Sequence, residues 1–102
     1  METKVTISRD ASDRLTVEVH SAEASEYGGL VKGIVNRFNL IKAGKKTVGL
    51  DEMFQDYKLN EYIVGLEWDN WSGFIVVAKT KESETLVTEI SQYLIEEYEN
   101  KT

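Results

Sequence analysis

Apolar and polar residues alternate twice near the start of the chain. In "KVTISR" Val5 and Ile7 share one side. In "RLTVEVH" Leu15, Val17 and Val19 point one way, and Arg14, Thr16, Glu18 and His20 the other. Period-two alternation of this kind marks half-buried strands, and the intervening "DASD" is a turn signal, so the pattern predicts an antiparallel hairpin. The rhythm then changes. In "LVKGIVNRFNLIKAG" Leu30, Ile34, Phe38 and Ile41 recur at helical spacing with Val31 and Val35 beside them. Ser21 or Ser25 is placed to cap this helix, and the Gly28–Gly29 pair weakens its entry. Gly44 reads as its C-cap, with Lys42, Lys45 and Lys46 at the cation-favouring end of the helix dipole.

"KTVGL" reads as a short strand. "DEMFQDYKLN" has two readings: a short turn capped by Asp51 and carrying Met53, Phe54 and Tyr57, or an irregular crossover. "EYIVGLEWDNWSGFIVVAK" is rich in β-branched and aromatic residues around Asp69, Asn70, Ser72 and Gly73, and predicts a second hairpin. "SETLVTEISQYLIEEYEN" ends the pattern. Leu86, Val87, Ile90, Tyr93, Leu94 and Tyr98 form one stripe of a helix, with Ser83 as N-cap and Glu82 and Glu84 at its positive end. The sum is one α+β domain over residues 1–102. It is a two-layer sandwich of a four- to five-stranded antiparallel sheet with two helices on one face, in the order β-β-α-(short piece)-β-β-α.

The second hairpin poses a question of faces. Tyr62, Val64, Leu66 and Trp68 share one face of its first strand, and Ile63, Gly65 and Glu67 the other. A two-residue loop at Asp69–Asn70 sends Ile75 and Val77 to the Trp68 face. A longer loop, Asp69 to Gly73 with a left-handed glycine, sends Phe74, Val76 and Ala78 there instead. Either way about three apolar side chains remain on the face away from the helices, where the first hairpin shows only polar ones. Such a patch favours being covered, by the chain itself, by a second copy or by a foreign partner. Trp68 begins in the core-side series and reads as structural. Trp71 lies at the turn and suits partner contact, since tryptophan is enriched at binding hot spots.

Charge adds an asymmetry. The 102-residue chain carries a formal −6. Residues 1–50 hold eight Lys/Arg and six Asp/Glu, while residues 51–102 hold four and twelve. An acidic second half argues against nucleic-acid binding, which works through Lys/Arg neutralisation of phosphates, and suits a basic partner. On the last helix Glu82, Glu89 and Glu96 recur every seven residues, with Gln92 and Glu99 adjacent, and few lysines compensate them. No apolar run approaches the ~20 residues of a membrane span, and the start shows no signal core.

The residues offer little for catalysis. There is no cysteine and one histidine, so disulfides and thiolate metal sites are excluded and a zinc site lacks ligands. His20 and Ser21 are neighbours on a strand and point to opposite faces. The carboxylates Asp51, Glu52, Asp56, Glu67 and Asp69 show no spacing diagnostic of acid–base pairs or of a calcium loop. "EYGGLVKG" matches neither a phosphate loop nor a dinucleotide fingerprint.

The expectation is therefore a small, acidic, cytoplasmic, non-catalytic protein-binding module with no cofactor, no metal and no membrane or nucleic-acid partner. Its bulk properties resemble the small acidic immunity or inhibitor proteins that neutralise basic toxins. Trp71, Asp69, Glu89, Gln92, Glu96 and Glu99 are the expected partner-binding residues. Two alternatives stay open: a homodimer or larger homo-oligomer joined through the apolar sheet face, and a small ligand-binding domain or enzyme using carboxylates.

Overall fold

Six segments are extended, and they join in one wholly antiparallel sheet. In the computed structural model, residues 5–49 and 51–99 are described, the Lys45 and Glu99 side chains excepted. The strands are β1 (Val5–Arg9), β2 (Leu15–Val19), β3 (Ile41–Val48), β4 (Glu52–Leu59), β5 (Tyr62–Asp69) and β6 (Gly73–Ala78). The helices are α1 (Tyr27–Phe38), entered through a 3-10 turn at Ala24–Glu26, and α2 (Glu84–Leu94), continued by a π-helical turn at Ile95–Glu99. The strand order across the sheet is β1-β2-β6-β5-β4-β3. The α+β class holds, but the sheet has six strands and the order is β-β-α-β-β-β-β-α, so the expected four to five strands and the short piece are corrected.

The reason lies in residues 41–59. The helical stripe was expected to run on through Ile41 to Gly44, yet α1 stops at Phe38 because Asn39 adopts a left-handed conformation, φ 58°. Asparagine tolerates that conformation better than most residues. Leu40 turns into the core, and Ile41 opens a strand where it is 63 % exposed. Gly44 is thus no helix cap. It lies at positive φ in a bulge where the β3–β4 register shifts between Ala43 and Thr47. Lys42, Lys45 and Lys46 are on β3, not at a helix end. "DEMFQDYKLN" is likewise a strand: Met53, Gln55, Tyr57 and Leu59 face the helices, while Phe54, Asp56 and Lys58 face away. Gln55 is buried at 2 % exposure, and its amide nitrogen donates to the Gly44 and Asp56 carbonyls at 3.0 Å each. A polar side chain in the buried row is what hides this strand from a pattern search. It is there because the bulge leaves carbonyls that need a donor. Within the expected "KTVGL" strand, Leu50 lies outside the described residues.

Caps were also misread. Neither Ser21 nor Ser25 caps α1; Glu26 Oε1 accepts the Glu23 amide at 2.7 Å instead. Ser83 does hold the N-cap position of α2, but its hydroxyl does not cap the helix. It is fully buried, accepts the Ile63 amide at 2.7 Å and lies 2.6 Å from Thr80 Oγ1, tying the start of α2 to the start of β5.

The first turn behaves as expected. Asp10 Oδ1 accepts the Ser12 and Arg14 amides at 2.9 and 3.0 Å, and the Arg14 bond does most to hold the Asp10 carboxyl below its usual range. In the second hairpin the longer loop is the one adopted: Asp69 pairs with Gly73, and Trp68 with Phe74. Phe74, Val76 and Ala78 accordingly join Val64, Leu66 and Trp68 in the core, under Leu86, Val87, Ile90 and Leu94 of α2 and Leu30 and Ile34 of α1. Trp68 is structural; its indole N–H donates to the Ala22 carbonyl at 3.0 Å. Tyr27 OH donates to the Leu66 carbonyl at 2.6 Å, pinning α1 to the central strand.

Gly73 is where the two hairpins meet. Its φ is 79°, and a Cβ there would sit 2.8 Å from the His20 carbonyl oxygen and closer still to that of Val19. Both objections apply to alanine: the left-handed conformation costs about 1–2 kcal/mol, and the carbonyls are backbone that cannot step aside. Gly73→Ala is expected to lower stability by at least about 2 kcal/mol, on the order of 10 °C in Tm. A melt within 2 °C of the parent contradicts this account of the closure.

Burial pushes the Tyr27 hydroxyl far up from its ordinary value. A group whose folded pKa is raised gives stability that is complete below the unfolded value and lost as pH rises past it. Urea unfolding at pH 8 and pH 11 should therefore show a drop for the native chain that is smaller in Tyr27→Phe. Equal drops would place the alkaline sensitivity elsewhere.

Candidate functional site

The first candidate surface comes from α2. Its apolar stripe is consumed by the core, which leaves Glu89 and Gln92 on its outer side and Glu96 and Glu97 on the π-helical turn, all exposed. Glu89, Gln92 and Glu96 meet Arg37, Phe38 and Tyr93 around a shallow groove of about 280 Å³. Three of the residues expected to bind a partner thus share one site. The Glu99 side chain lies outside the described residues.

Two aromatic rings floor this groove. Phe38 and Tyr93 pack edge to face, with centroids 6.0 Å apart at 85°. The Arg37 guanidinium lies 5.3 Å from the Phe38 centroid. Burial raises the Tyr93 hydroxyl's pKa, and the Glu97 charge raises it further. In the sequence Phe38 and Tyr93 belong to the apolar stripes of the two helices. Both stand at the margins of their stripes, and only the packing of one helix beside the other shows that they end half-buried.

Arg37 shares the groove, but the acids there are not ion-paired to it. Glu84 is paired, to Arg9 at 2.8 Å and to Lys81 at 3.8 Å. Glu82, Glu89, Glu96 and Glu97 form no ion pair among the described residues. Glu96 and Glu97 also sit at the carbonyl end of the helix, with no basic residue in its last turn. That end carries the negative half of the dipole and prefers cations, so two acids there are held against the local field.

Trp71 is a separate feature. It is 78 % exposed at the tip of the β5–β6 hairpin. Asp69 works within that tip: its Oδ1 accepts the Trp71 and Ser72 amides at 2.9 and 2.6 Å. Asp69 is therefore a turn-former that presents Trp71. It borders a different groove, of about 510 Å³, together with His20, Ser21 and Asn70. Neither Trp71 nor Asp69 lines the α2 groove.

The face away from the helices carries Ile63, Ile75 and Val77 with Phe54 and Ile41. Much of it is satisfied within the chain. Val77 is 4 % exposed and Ile63 and Ile75 are half-buried. Gly65 leaves a channel for the Lys79 stem, whose Cε would lie 2.7 Å from a Cβ at that position. The Lys79 ammonium then bridges Glu67 at 3.1 Å and Asp56 at 3.7 Å.

The other chemistry-bearing residues do not converge. Glu52 and Asp56 lie four apart on β4 with Asp51 just before it, so the three are spread along the chain and not gathered on one turn. His20 lies 3.1 Å from Glu18 and has no hydrogen bond to Ser21 among the described residues. No group of three or more His, Cys, Asp or Glu is placed to share a metal ion, and no helix is long and apolar enough to cross a membrane, among the described residues.

No family model, curated protein or solved structure matches the chain.

The dipole argument makes a signed prediction. Glu96→Lys should raise the Tm of the isolated protein by ~2–4 °C at low salt, whereas the same reversal at Glu82, which precedes the positive end of α2, should lower it. Melting curves of the two variants check this, and shifts of equal sign would remove the helix field as the cause.

Proposed function

We propose that this protein is a non-catalytic binding module that neutralises a basic protein partner, as an immunity or inhibitor protein does. One observation carries the reading: Glu96 and Glu97 occupy the wrong end of a helix dipole, unpaired among the described residues, beside a half-buried Phe38–Tyr93 pair. An arrangement that costs the free protein stability becomes favourable when a cation arrives. Lysines and arginines of the partner would meet Glu89, Glu96 and Glu97, with their stems over the aromatic pair. Electrostatic steering would give fast, salt-sensitive association. Trp71, rigidly presented by Asp69, serves as an apolar anchor if the partner is large enough to reach the hairpin tip.

The competing reading, self-association through the sheet face, has less to bury. Val77 is already covered and Glu67, Asp56 and Lys79 are interleaved with the remaining apolar groups. Carboxylate catalysis needs two acids held in differing environments in a cleft, and among the described residues Asp51, Glu52 and Asp56 line neither of the grooves described above.

Affinity capture from an extract of the native host at 50 mM NaCl, with elution by rising salt, tests the proposal. The expected result is a strongly basic protein whose retention falls at least tenfold for the Glu89→Lys/Glu96→Lys double variant. Capture that survives the double reversal, or a partner that is itself acidic, overturns it.

A further inference from the structure

The strongest basic feature of this acidic protein is a groove on its other flank. α1 covers the sheet with Leu30 and Ile34 but leaves Val31 and Val35 half-buried above the ends of β3 and β4. Between them lies an open groove of about 440 Å³, with Val31, Val35 and the Tyr57 ring as its floor and Lys32, Lys42 and Lys46 on its rim. The lysines come from two elements the sequence does not obviously associate. Lys32 is on α1, and Lys42 and Lys46 stand on either side of the β3 bulge, Lys42 opposite Tyr57.

Three facts point to a ligand of defined chemistry. First, none of the three lysines forms an ion pair among the described residues, although acids outnumber bases in the chain by 18 to 12. Lys46 instead rests its ammonium 5.8 Å from the Tyr27 centroid, a contact that holds the charge over the groove without neutralising it. Second, Tyr57 is 7 % exposed, and among the described residues its hydroxyl has no protein hydrogen-bond partner and reaches solvent at the groove. A phenol placed there can donate to a ligand that displaces its water. Third, the volume falls within the ~300–1,000 Å³ typical of small-molecule sites, and the mix of apolar floor and few polar groups is what such sites show.

The geometry points to a binding site for a small amphipathic anion: a single carboxylate held by Lys32, Lys42, Lys46 and the Tyr57 hydroxyl, with an aliphatic or aromatic body of about ten heavy atoms over Val31 and Val35. Long-range repulsion from the net negative charge does not forbid this, because at 0.15 M salt charges beyond ~8 Å are largely screened, and the charged residues that line the groove are all lysines. A nucleic-acid backbone is the wrong occupant, since its repeated phosphates would meet the rest of an acidic surface. The site is independent of the acidic α2 surface and stands or falls separately from the proposed partner.

Octanoate is a suitable probe, read by two-dimensional amide NMR on the full chain. Saturable shifts at Val31, Val35 and Tyr57 are expected, with a Kd below about 1 mM. Octanol and octylammonium, which share the tail, should bind at least tenfold more weakly. Lys42→Glu/Lys46→Glu should abolish the octanoate response while leaving the melting temperature within a few degrees, because neither lysine is paired. Val35→Glu, on the floor, should abolish it as well. Absence of saturation by 10 mM, equal binding of octanol, or an unaltered response in the lysine double variant overturns the assignment. Should an acidic peptide bind the same residues while octanoate does not, the small-anion reading is likewise wrong.

Discussion

The pairing of β2 with β6 is the contact on which the rest of the structure depends. Residues far apart in sequence meet there, Val17 opposite Val76 and Val19 opposite Phe74. Without it the chain is a two-stranded hairpin and a four-stranded meander, and a lone hairpin is marginal in water. With it, α2 has a floor on which to bury Leu86, Val87, Ile90 and Leu94. Gly73 permits the approach by combining a left-handed backbone with the absence of a Cβ against the end of β2. The same residue fixes the loop length and hence the register, and the register decides that Phe74 rather than Ile75 enters the core. A single backbone position therefore sets both the closure of the sheet and the chemical character of its two faces.

Much of this was legible in the sequence, and the failures have physical causes. The first hairpin and both helices follow from periodicity, because each buries one face only, while the second hairpin follows from its β-branched and aromatic richness around turn residues. The register of the second hairpin is one of two that the sequence allows, because strand composition does not distinguish a two-residue loop from a five-residue one. Residues 41–59 were lost because β3 and β4 break the strand pattern for local reasons. Ile41 is spaced like a helix residue but faces solvent on an edge strand. Gln55 is polar but buried to satisfy a bulge. Gly44 looks like a helix stop but is the bulge itself. Of the candidate surface, the acids on α2 were visible in the heptad-like spacing of Glu82, Glu89 and Glu96. The aromatic floor of Phe38 and Tyr93 was not, because residues at the margin of a stripe look the same as those at its centre.

Bulging and lysines on β3 bear on how the molecule avoids its own association. β1 and β3 are the two edges of the sheet, and an exposed edge invites pairing with another chain. β3 is eight residues long, yet its ladder is interrupted at Gly44–Lys46 and it carries Lys42, Lys45 and Lys46. Like charges on two such edges would repel, and the bulge denies a continuous run of hydrogen bonds. The open sheet face is treated similarly, with Lys79 laid through the Gly65 channel to Glu67 and Asp56.

These protections are partial, since Ile7, Ile41, Val48 and Phe54 stay exposed on the edges and open face, and the charges left unpaired are informative beside them. Uncompensated acids at the end of α2 and unpaired lysines around the α1–β3 groove lie on different elements and could have cancelled one another had folding stability been the only constraint. A few changes of sequence, such as an arginine in the last turn of α2 or an acid on β3, would pair them at little cost to packing. On the reading proposed above, each cluster, kept beside half-buried aromatic or apolar groups, is a place where opposite charge would be welcome together with a greasy stem. Mixed character of that kind is poor for a solvated surface and well suited to recognition, where water leaves the apolar part and the ion pair forms in a partly desolvated setting.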